Sequence, residues 1–182
     1  MPSRPSPIAR AFCTAIAAVF LCLPTFALSL EDLRGKENLT ASEFARHFSN
    51  FKFVFRKHVQ KPEVFLASKS GDCDDFSTLA AAVLRERGYT PRLITVRMPG
   101  VTHVVCYIEE TKSYLDYNNR AKRNFFVRSE RGISAIAESV ALSYGLNWTS
   151  ASEFTFEDGQ KRMVKTVFEP KMETKILASA FR

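Results

Sequence analysis

Three residues of this sequence have the types and settings that a thiol nucleophile requires. Cys73 stands at the expected start of an amphipathic helix, and His103 follows thirty residues later in a strand-like run. Asp116 lies in the next strand-like run. A cysteine nucleophile needs a base that takes its proton and a group that orients that base. The order Cys73, His103, Asp116 therefore predicts a catalytic triad for attack on a carbonyl group.

Each partner of Cys73 has a competing interpretation. A lone histidine in a strand is often structural, but His47 and His58 both precede the cysteine helix, so only His103 is expected beside it. Asn118 is the second candidate for orienting His103, because an amide can also hold an imidazole. Asp116 could instead simply begin a turn made by Asn118 and Asn119.

The residues around Cys73 have opposing effects on its sulfur. The N-terminus of a helix favours a thiolate, and its free N–H groups can hold an oxyanion. The neighbouring carboxylates of Asp72, Asp74 and Asp75 disfavour a thiolate. A histidine partner is therefore expected to matter more than the helix dipole alone.

The second cysteine of the expected mature chain, Cys106, suggests two other roles. It could form a disulfide with Cys73, or the two could act in redox chemistry. The absence of a Cys-x-x-Cys motif argues against redox chemistry. Alternation along the strand places His103 and Cys106 on opposite faces. We therefore expect Cys106 to be a free thiol in the core, facing away from the site.

Hydrophobic periodicity predicts an α+β fold with one central helix on an antiparallel sheet. The central helix is expected over 73–87, with Asp72 as its cap and Gly88 at its end. The other expected elements are a helix over 40–48 with a capping box, an extended run over 51–56, strands 93–98, 102–109 and 113–117, a helix over 134–144, and a closing hairpin within 154–168. Residues 28–39 are expected to be loose.

The first 27 residues have the pattern of a secretory signal peptide. Arg4 and Arg10 precede a short apolar stretch, Ala11 to Leu23, and small residues allow cleavage after Ala27. An uncleaved anchor is the alternative. Cleavage would leave residues 28–182 as a single domain, in the periplasm or secreted, with no stable membrane span.

Composition excludes some functions and favours others. The formal net charge of +7 suits contact with anionic surfaces, but the cations are mostly scattered. They form no recognisable nucleic-acid motif, and no residues have zinc-ligand spacing. We therefore expect no nucleic-acid partner, no metal and no cofactor. The 16 phenylalanines indicate a core built on aromatic packing.

The motif residues resemble the transglutaminase-like superfamily over roughly residues 60–120. Gly71 to Phe76, with Gly88-Tyr89, is similar to the nucleophile helix of that family. Thr102-His103 and Tyr114-Leu115-Asp116 are similar to its histidine and acid strands. The resemblance implies a papain-like fold, a Cys73–His103–Asp116 triad and a protein or peptide substrate. It is closer to the small bacterial transglutaminase-like proteinases than to the large animal enzymes.

Two departures from the family pattern bear on activity. Asp74 and Val105 stand where cross-linking members often have aromatic residues, which favours a thiol hydrolase over protein cross-linking. In some relatives acids beside the cysteine hold calcium, and Asp72 and Asp74 match those positions. Helix capping is the preferred interpretation of these two acids.

The sequence thus predicts an exported hydrolase or acyl transferase acting on a peptide or amide bond. The alternative is a catalytically inactive binding module of the cell envelope with the same fold. Substrate specificity is expected to come from loops 61–70, 99–101 and 118–132.

Overall fold

A computed structural model describes residues 28–122 and 125–170 of the 182-residue chain. It contains five α-helices in these ranges: α1 Leu30–Gly35, α2 Ala41–Arg46, α3 Pro62–Ser68, α4 Cys73–Arg85 and α5 Ile133–Tyr144. The strands are β1 Lys52–Phe53, β2 Ser70–Gly71, β3 Pro91–Met98, β4 Val101–Ile108, β5 Ser113–Leu115, β6 Phe126–Arg128, β7 Ser150–Glu157 and β8 Gln160–Phe168. A 3₁₀ helix spans Tyr117–Lys122. The predicted signal peptide, residues 1–27, lies outside the described residues.

Six strands form one antiparallel sheet in the order β6-β5-β4-β3-β7-β8. The predicted α+β class and the helix packed on an antiparallel sheet are confirmed. Strands β3 and β4 are joined by a tight turn at Gly100, whose φ of 74° suits glycine. The two short strands β1 and β2 pair in parallel, apart from this sheet.

Helices cover both faces of the sheet. The buried apolar residues of α1 to α4 pack with Leu93, Val104 and Cys106 on one face. Helix α5 packs on the other face, against Ile94, Val105 and other residues of opposite parity. This alternation follows from the period of two along each strand. Helix α4, which begins with Cys73, therefore packs on the face of β3 and β4 that carries Leu93, Val104 and Cys106.

The predicted aromatic core lies beneath α2, α3 and α4. The ring centroids of Phe44 and Phe48, and those of Phe48 and Phe51, are each 4.9 Å apart. Phe48 also meets Phe76 of α4 edge-on at 5.1 Å. Such contacts contribute beyond the area that they bury. They hold the N-terminal half of α4 against the segments that precede it.

Two helices were not expected from the sequence. Residues 28–39, predicted to be loose, contain α1, which begins with a capping box between Ser29 and Asp32. Residues 61–70, expected to be a loop, contain α3, with Pro62 at its start. Both helices are short, with six and seven residues, and these are too few to show a helical periodicity in the sequence.

None of the helices within 28–122 and 125–170 has the length and apolar character needed to cross a membrane.

Of the glycines that the structure describes, Gly71, immediately before the N-cap of α4, has the closest neighbours. A Cβ at this position would stand 2.3 Å from Asp75 Oδ2 and 2.7 Å from the Phe65 ring. We therefore expect Gly71→Ala to lower the free energy of unfolding by about 1–3 kcal/mol, measured by urea denaturation. Gly35→Ala is the matched control, because nothing lies within 4 Å of the added Cβ there. Equal stabilities of the two variants would contradict this account.

Candidate active site

The first turn of α4 is fixed by a reciprocal cap. Asp72 Oδ1 accepts hydrogen bonds from the N–H groups of Asp74, at 3.0 Å, and Asp75, at 3.4 Å. Asp75 Oδ2 accepts the N–H of Asp72 at 3.0 Å. A capping box of this kind determines where a helix begins. It makes Cys73, which is half-buried, the first helical residue.

A hydrogen bond from α4 to β4 aligns the cysteine with the histidine. Ser77 Oγ donates to the Val104 carbonyl at 3.2 Å, one residue from His103. Cys73 precedes Ser77 by four residues, which is about 6 Å along a helix axis. The structure thereby brings Cys73 close enough to His103 for its side chain to help raise the pKa of the imidazole.

Strand β4 has an open edge at this position. Strand β5 pairs only with Cys106–Ile108, because it ends at Leu115 opposite Cys106. Among the residues that the structure describes, 101–105 of β4 therefore have a strand neighbour on one side only, β3. The unpaired side leaves the Val104 carbonyl available to Ser77.

His103 and Asp116 form a buried pair. His103 Nε2 lies 2.9 Å from Asp116 Oδ1, and each residue is about 1 % exposed. Asp116 directly follows β5 instead of lying within it. Its Oδ1 also accepts the N–H of Asn118 at 2.8 Å, and its Oδ2 accepts Asn119 Nδ2 at 3.1 Å. Asp116 thus both begins the turn and contacts His103. The two interpretations of this residue, as a turn residue and as the neighbour of His103, therefore do not exclude each other.

Opposing influences set the protonation of His103. Burial disfavours the charged ring, but the hydrogen bonds and charges of Asp116 and Cys73 outweigh it and raise the pKa of His103 to about 10. The ring therefore holds its proton firmly at neutral pH. An imidazolium beside a cysteine sulfur is the arrangement that stabilises a thiolate.

Tyr144, at the end of α5, contacts His103 on the face of the sheet that α5 covers. Its ring centroid is 5.5 Å from that of His103, and Asn118 Nδ2 donates to its hydroxyl. Burial and the charges of Asp116 and Cys73 raise the pKa of Tyr144 to about 12. The Asn118 side chain thus bonds to Tyr144, while its main-chain N–H bonds to Asp116. Helical periodicity places Tyr144 only on the apolar face of α5, and no local signal distinguishes it there.

The acids beside Cys73 are engaged by protein donors. Asp72 Oδ2 accepts the Arg56 N–H at 2.8 Å, in addition to its capping bonds, and Asp74 Oδ1 accepts Lys161 Nζ at 2.7 Å. The predicted capping by Asp72 is confirmed. Calcium takes six to eight oxygen ligands, and these two carboxylates leave too few unengaged oxygens to fit it. No group of three or more acid, cysteine or histidine side chains within the described ranges could hold a metal ion.

Cys106 is a free and fully buried thiol, as expected, but the reason given by strand alternation was wrong. Cys106 lies on the face that α4 covers and shares a cluster with Cys73. The two are separated along the helix, because Cys106 lies near Arg85 at the other end of α4. Twelve residues of helix span about 18 Å. Burial raises the pKa of Cys106 to about 12.

The other two histidines occupy different surroundings. His47 caps the end of α2, and its Nε2 lies 2.9 Å from Lys36 Nζ. His58 is exposed.

The Asp116 carboxylate should control the protonation of His103. In Asp116→Asn the negative charge is lost while burial remains, so we expect the pKa of His103 to fall from about 10 to 6.5 or below. Titration of the imidazole by NMR measures this change. Asp158→Asn, the same chemical change in the exposed β7–β8 turn, should leave the pKa of His103 unaltered. A pKa that stays near 10 in Asp116→Asn would refute the assignment.

The same pair should make stability depend on pH. Because folding raises the pKa of His103 from 6.5 to about 10, the stabilisation by its charged form is complete below pH 6.5 and is lost as the pH approaches 10. The difference in unfolding free energy between the wild type and His103→Asn should therefore shrink between pH 6 and pH 10. Urea titrations at several pH values measure it, with His58→Asn as an exposed control. A gap that is constant with pH would contradict the raised pKa.

Comparison with known proteins gives one sequence match and a set of distant structural likenesses. The family model described as the transglutaminase-like superfamily matches residues 37–113. This match begins earlier than the resemblance over 60–120 and ends three residues before Asp116. No curated protein is significantly similar to the chain in sequence.

Two solved structures are similar at low identity. LapG of Legionella pneumophila, in its calcium-bound form, is 14% identical, with a TM-score of 0.45, and 78% of each chain is covered. A chain from Cytophaga hutchinsonii, to which a cysteine protease activity has been ascribed, is 19% identical with a TM-score of 0.36, over 75% of this chain and 46% of that one. The match to the family model over residues 37–113 supports a relationship of this part of the chain to the transglutaminase-like superfamily.

Proposed function

We propose that the protein is an exported cysteine-dependent hydrolase or acyl transferase that acts on a peptide or amide bond. Cys73 is the nucleophile, His103 the acid and base, and Asp116 the group that orients the ring. The observation that carries this proposal is the buried bond of 2.9 Å between His103 Nε2 and Asp116 Oδ1, on an imidazole whose pKa is also raised by the neighbouring Cys73 side chain.

The reaction divides into two steps. In the first, the sulfur of Cys73 adds to the carbonyl carbon, His103 gives its proton to the amine, and the C–N bond breaks. The acyl group is then held on the sulfur. In the second, His103 takes a proton from water or from an incoming amine, which attacks the thioester and releases the sulfur. Water gives hydrolysis, and an amine gives transamidation.

The main chain at the start of α4 offers a donor for the oxyanion. The N–H groups of Asp74 and Asp75 bond to the Asp72 carboxylate, and that of Phe76 bonds to the Asp72 carbonyl. Within the described residues this leaves the Cys73 N–H without an acceptor. It lies beside the reacting sulfur at the positive end of the helix, where a developing negative charge is stabilised.

Export to the periplasm or to the medium rests on the predicted signal peptide of residues 1–27. The partner in this setting is a protein or peptide substrate, in keeping with the similarity to the transglutaminase-like family model over residues 37–113. A thiol that works in an oxidising compartment must avoid a disulfide. The burial of Cys106, far along α4 from Cys73, satisfies that requirement.

Replacement of the sulfur should abolish covalent chemistry. We expect Cys73→Ala to lose reaction with an acyl-donor thiol probe, and to lose amide hydrolysis or acyl transfer by at least about 10³-fold, because the nucleophile is gone. Intact-protein mass spectrometry measures the adduct. Cys106→Ala is the matched control and should label as the wild type does, because that thiol is fully buried.

Equal labelling of Cys73→Ala and the wild type would refute the proposal. A wild type that is folded, but that neither forms an acyl adduct nor transfers one, would instead favour the inactive binding module.

A further inference from the structure

Residues 52–58 form a surface segment of unusual composition. All seven are exposed, and three large apolar residues follow one another: Phe53 at 47%, Val54 at 37% and Phe55 at 78% exposure. The remaining residues are Lys52, Arg56, Lys57 and His58, and none is acidic. Consecutive exposed apolar side chains are unfavourable in water unless they serve a binding surface.

This segment lies beside the residues that precede Cys73. Strand β1 pairs in parallel with β2, with Phe53 opposite Gly71. Beyond β1, the Val54 N–H donates to the Gly71 carbonyl at 2.8 Å, and the Arg56 N–H donates to Asp72 Oδ2 at 2.8 Å. The segment therefore runs in extended form along the approach to the candidate nucleophile.

The outer edge of the segment is a row of main-chain groups that another strand could pair with. The N–H groups of Lys52, Val54 and Arg56 are all directed towards residues 69–72. Main-chain groups alternate in direction along an extended chain. Those of Phe53 and Phe55 therefore point the other way, and within the described residues they have no partner. An exposed edge of this kind binds an extended peptide by strand addition.

The charge around the edge selects among peptides. The carboxylates of Asp72 and Asp75 are buried in the cap of α4, and Asp74 pairs with Lys161, so the exposed charges of the segment itself are all positive. Lys52, Arg56 and Lys57 are exposed beside the apolar residues. The surface thus complements a peptide with apolar side chains flanked by acidic ones.

We propose that the edge formed by residues 52–56 is the substrate-binding strand. An extended polypeptide pairs with the main chain of Phe53 and Phe55, sets its apolar side chains against their rings, and places acidic residues near Lys52, Arg56 and Lys57. This substrate class rests on the proposed function, because the strand matters for catalysis only if Cys73 attacks the bound chain.

Binding can be measured apart from catalysis in the full chain carrying Cys73→Ser. The probes are fluorescein-labelled octapeptides with a Val-Phe-Leu-Val centre, flanked by glutamates or by lysines, and their anisotropy reports binding. We expect the glutamate-flanked peptide to bind at least about tenfold more tightly, with a preference that weakens as salt increases. N-methylation of one alternating set of peptide amides should prevent binding, and methylation of the other set should not.

The aromatic contact is tested with variants matched for exposure. Phe55→Ala should weaken binding of the glutamate-flanked peptide about tenfold, because it removes an apolar platform. Phe168→Ala is the control: Phe168 is 73% exposed on β8, which β3 and β7 separate from the strand of His103. It should leave binding unchanged.

The outcomes distinguish this inference from the proposed function. Absence of peptide binding at 1 mM, equal effects of Phe55→Ala and Phe168→Ala, or insensitivity to both methylation sets would overturn the binding strand, even if Cys73 is acylated by a probe. Peptide binding as expected, with no acylation of wild-type Cys73, would support the peptide-binding surface and refute the proposed enzymatic activity. Loss of affinity for phosphatidylglycerol vesicles in Phe55→Ala, without peptide binding, would assign the segment to a lipid surface instead.

Discussion

The site depends on a positively charged imidazole that remains stable in the interior of the protein. A buried charge is costly unless it is paired and hydrogen-bonded. Asp116 supplies the pairing charge for His103, and the N–H of Asn118 and the amide of Asn119 hold Asp116 in turn. A short β5 makes this arrangement possible, because it ends before it would cover the edge of β4 where His103 lies.

The second requirement is that α4 begins at a single residue. If the helix began one residue later, Cys73 would lose its place in the first turn and its rotation relative to His103 would change by about 100°. The reciprocal bonds of Asp72 and Asp75 prevent this, and Gln60 and Arg56 bond to the same two carboxylates from the preceding segment. The acids that oppose a thiolate electrostatically are therefore also those that fix its position.

Long periodic elements and local caps were predictable, and contacts between distant elements were not. Helix α4, its cap at Asp72, strands β3 and β4 and the β7–β8 hairpin all follow from periodicity and turn residues. Helices α1 and α3 are too short to give a pattern. The role of Tyr144 depends on which face of the sheet α5 covers, and the separation of the two cysteines depends on where α4 crosses β4. Alternation along β4 tells which residues share a face of the sheet, but it does not tell which face α4 covers. The expectation that α4 covers the face opposite to Cys106 was therefore wrong, because α4 packs on the face of Val104 and Cys106.

The two cysteines show how environment, not residue type, decides chemistry in this fold. Cys106 is fully buried among apolar side chains, and burial alone raises its pKa to about 12, so it remains a thiol under ordinary conditions. Cys73 is half-buried at a helix N-terminus, beside an imidazole whose pKa is raised to about 10. In the proposed exported chain, a disulfide between Cys73 and Cys106 would remove the proposed nucleophile. Both cysteines are free in the structure, and the position of Cys106 near the far end of α4 opposes that bridge, because a disulfide requires Cα atoms within about 7 Å.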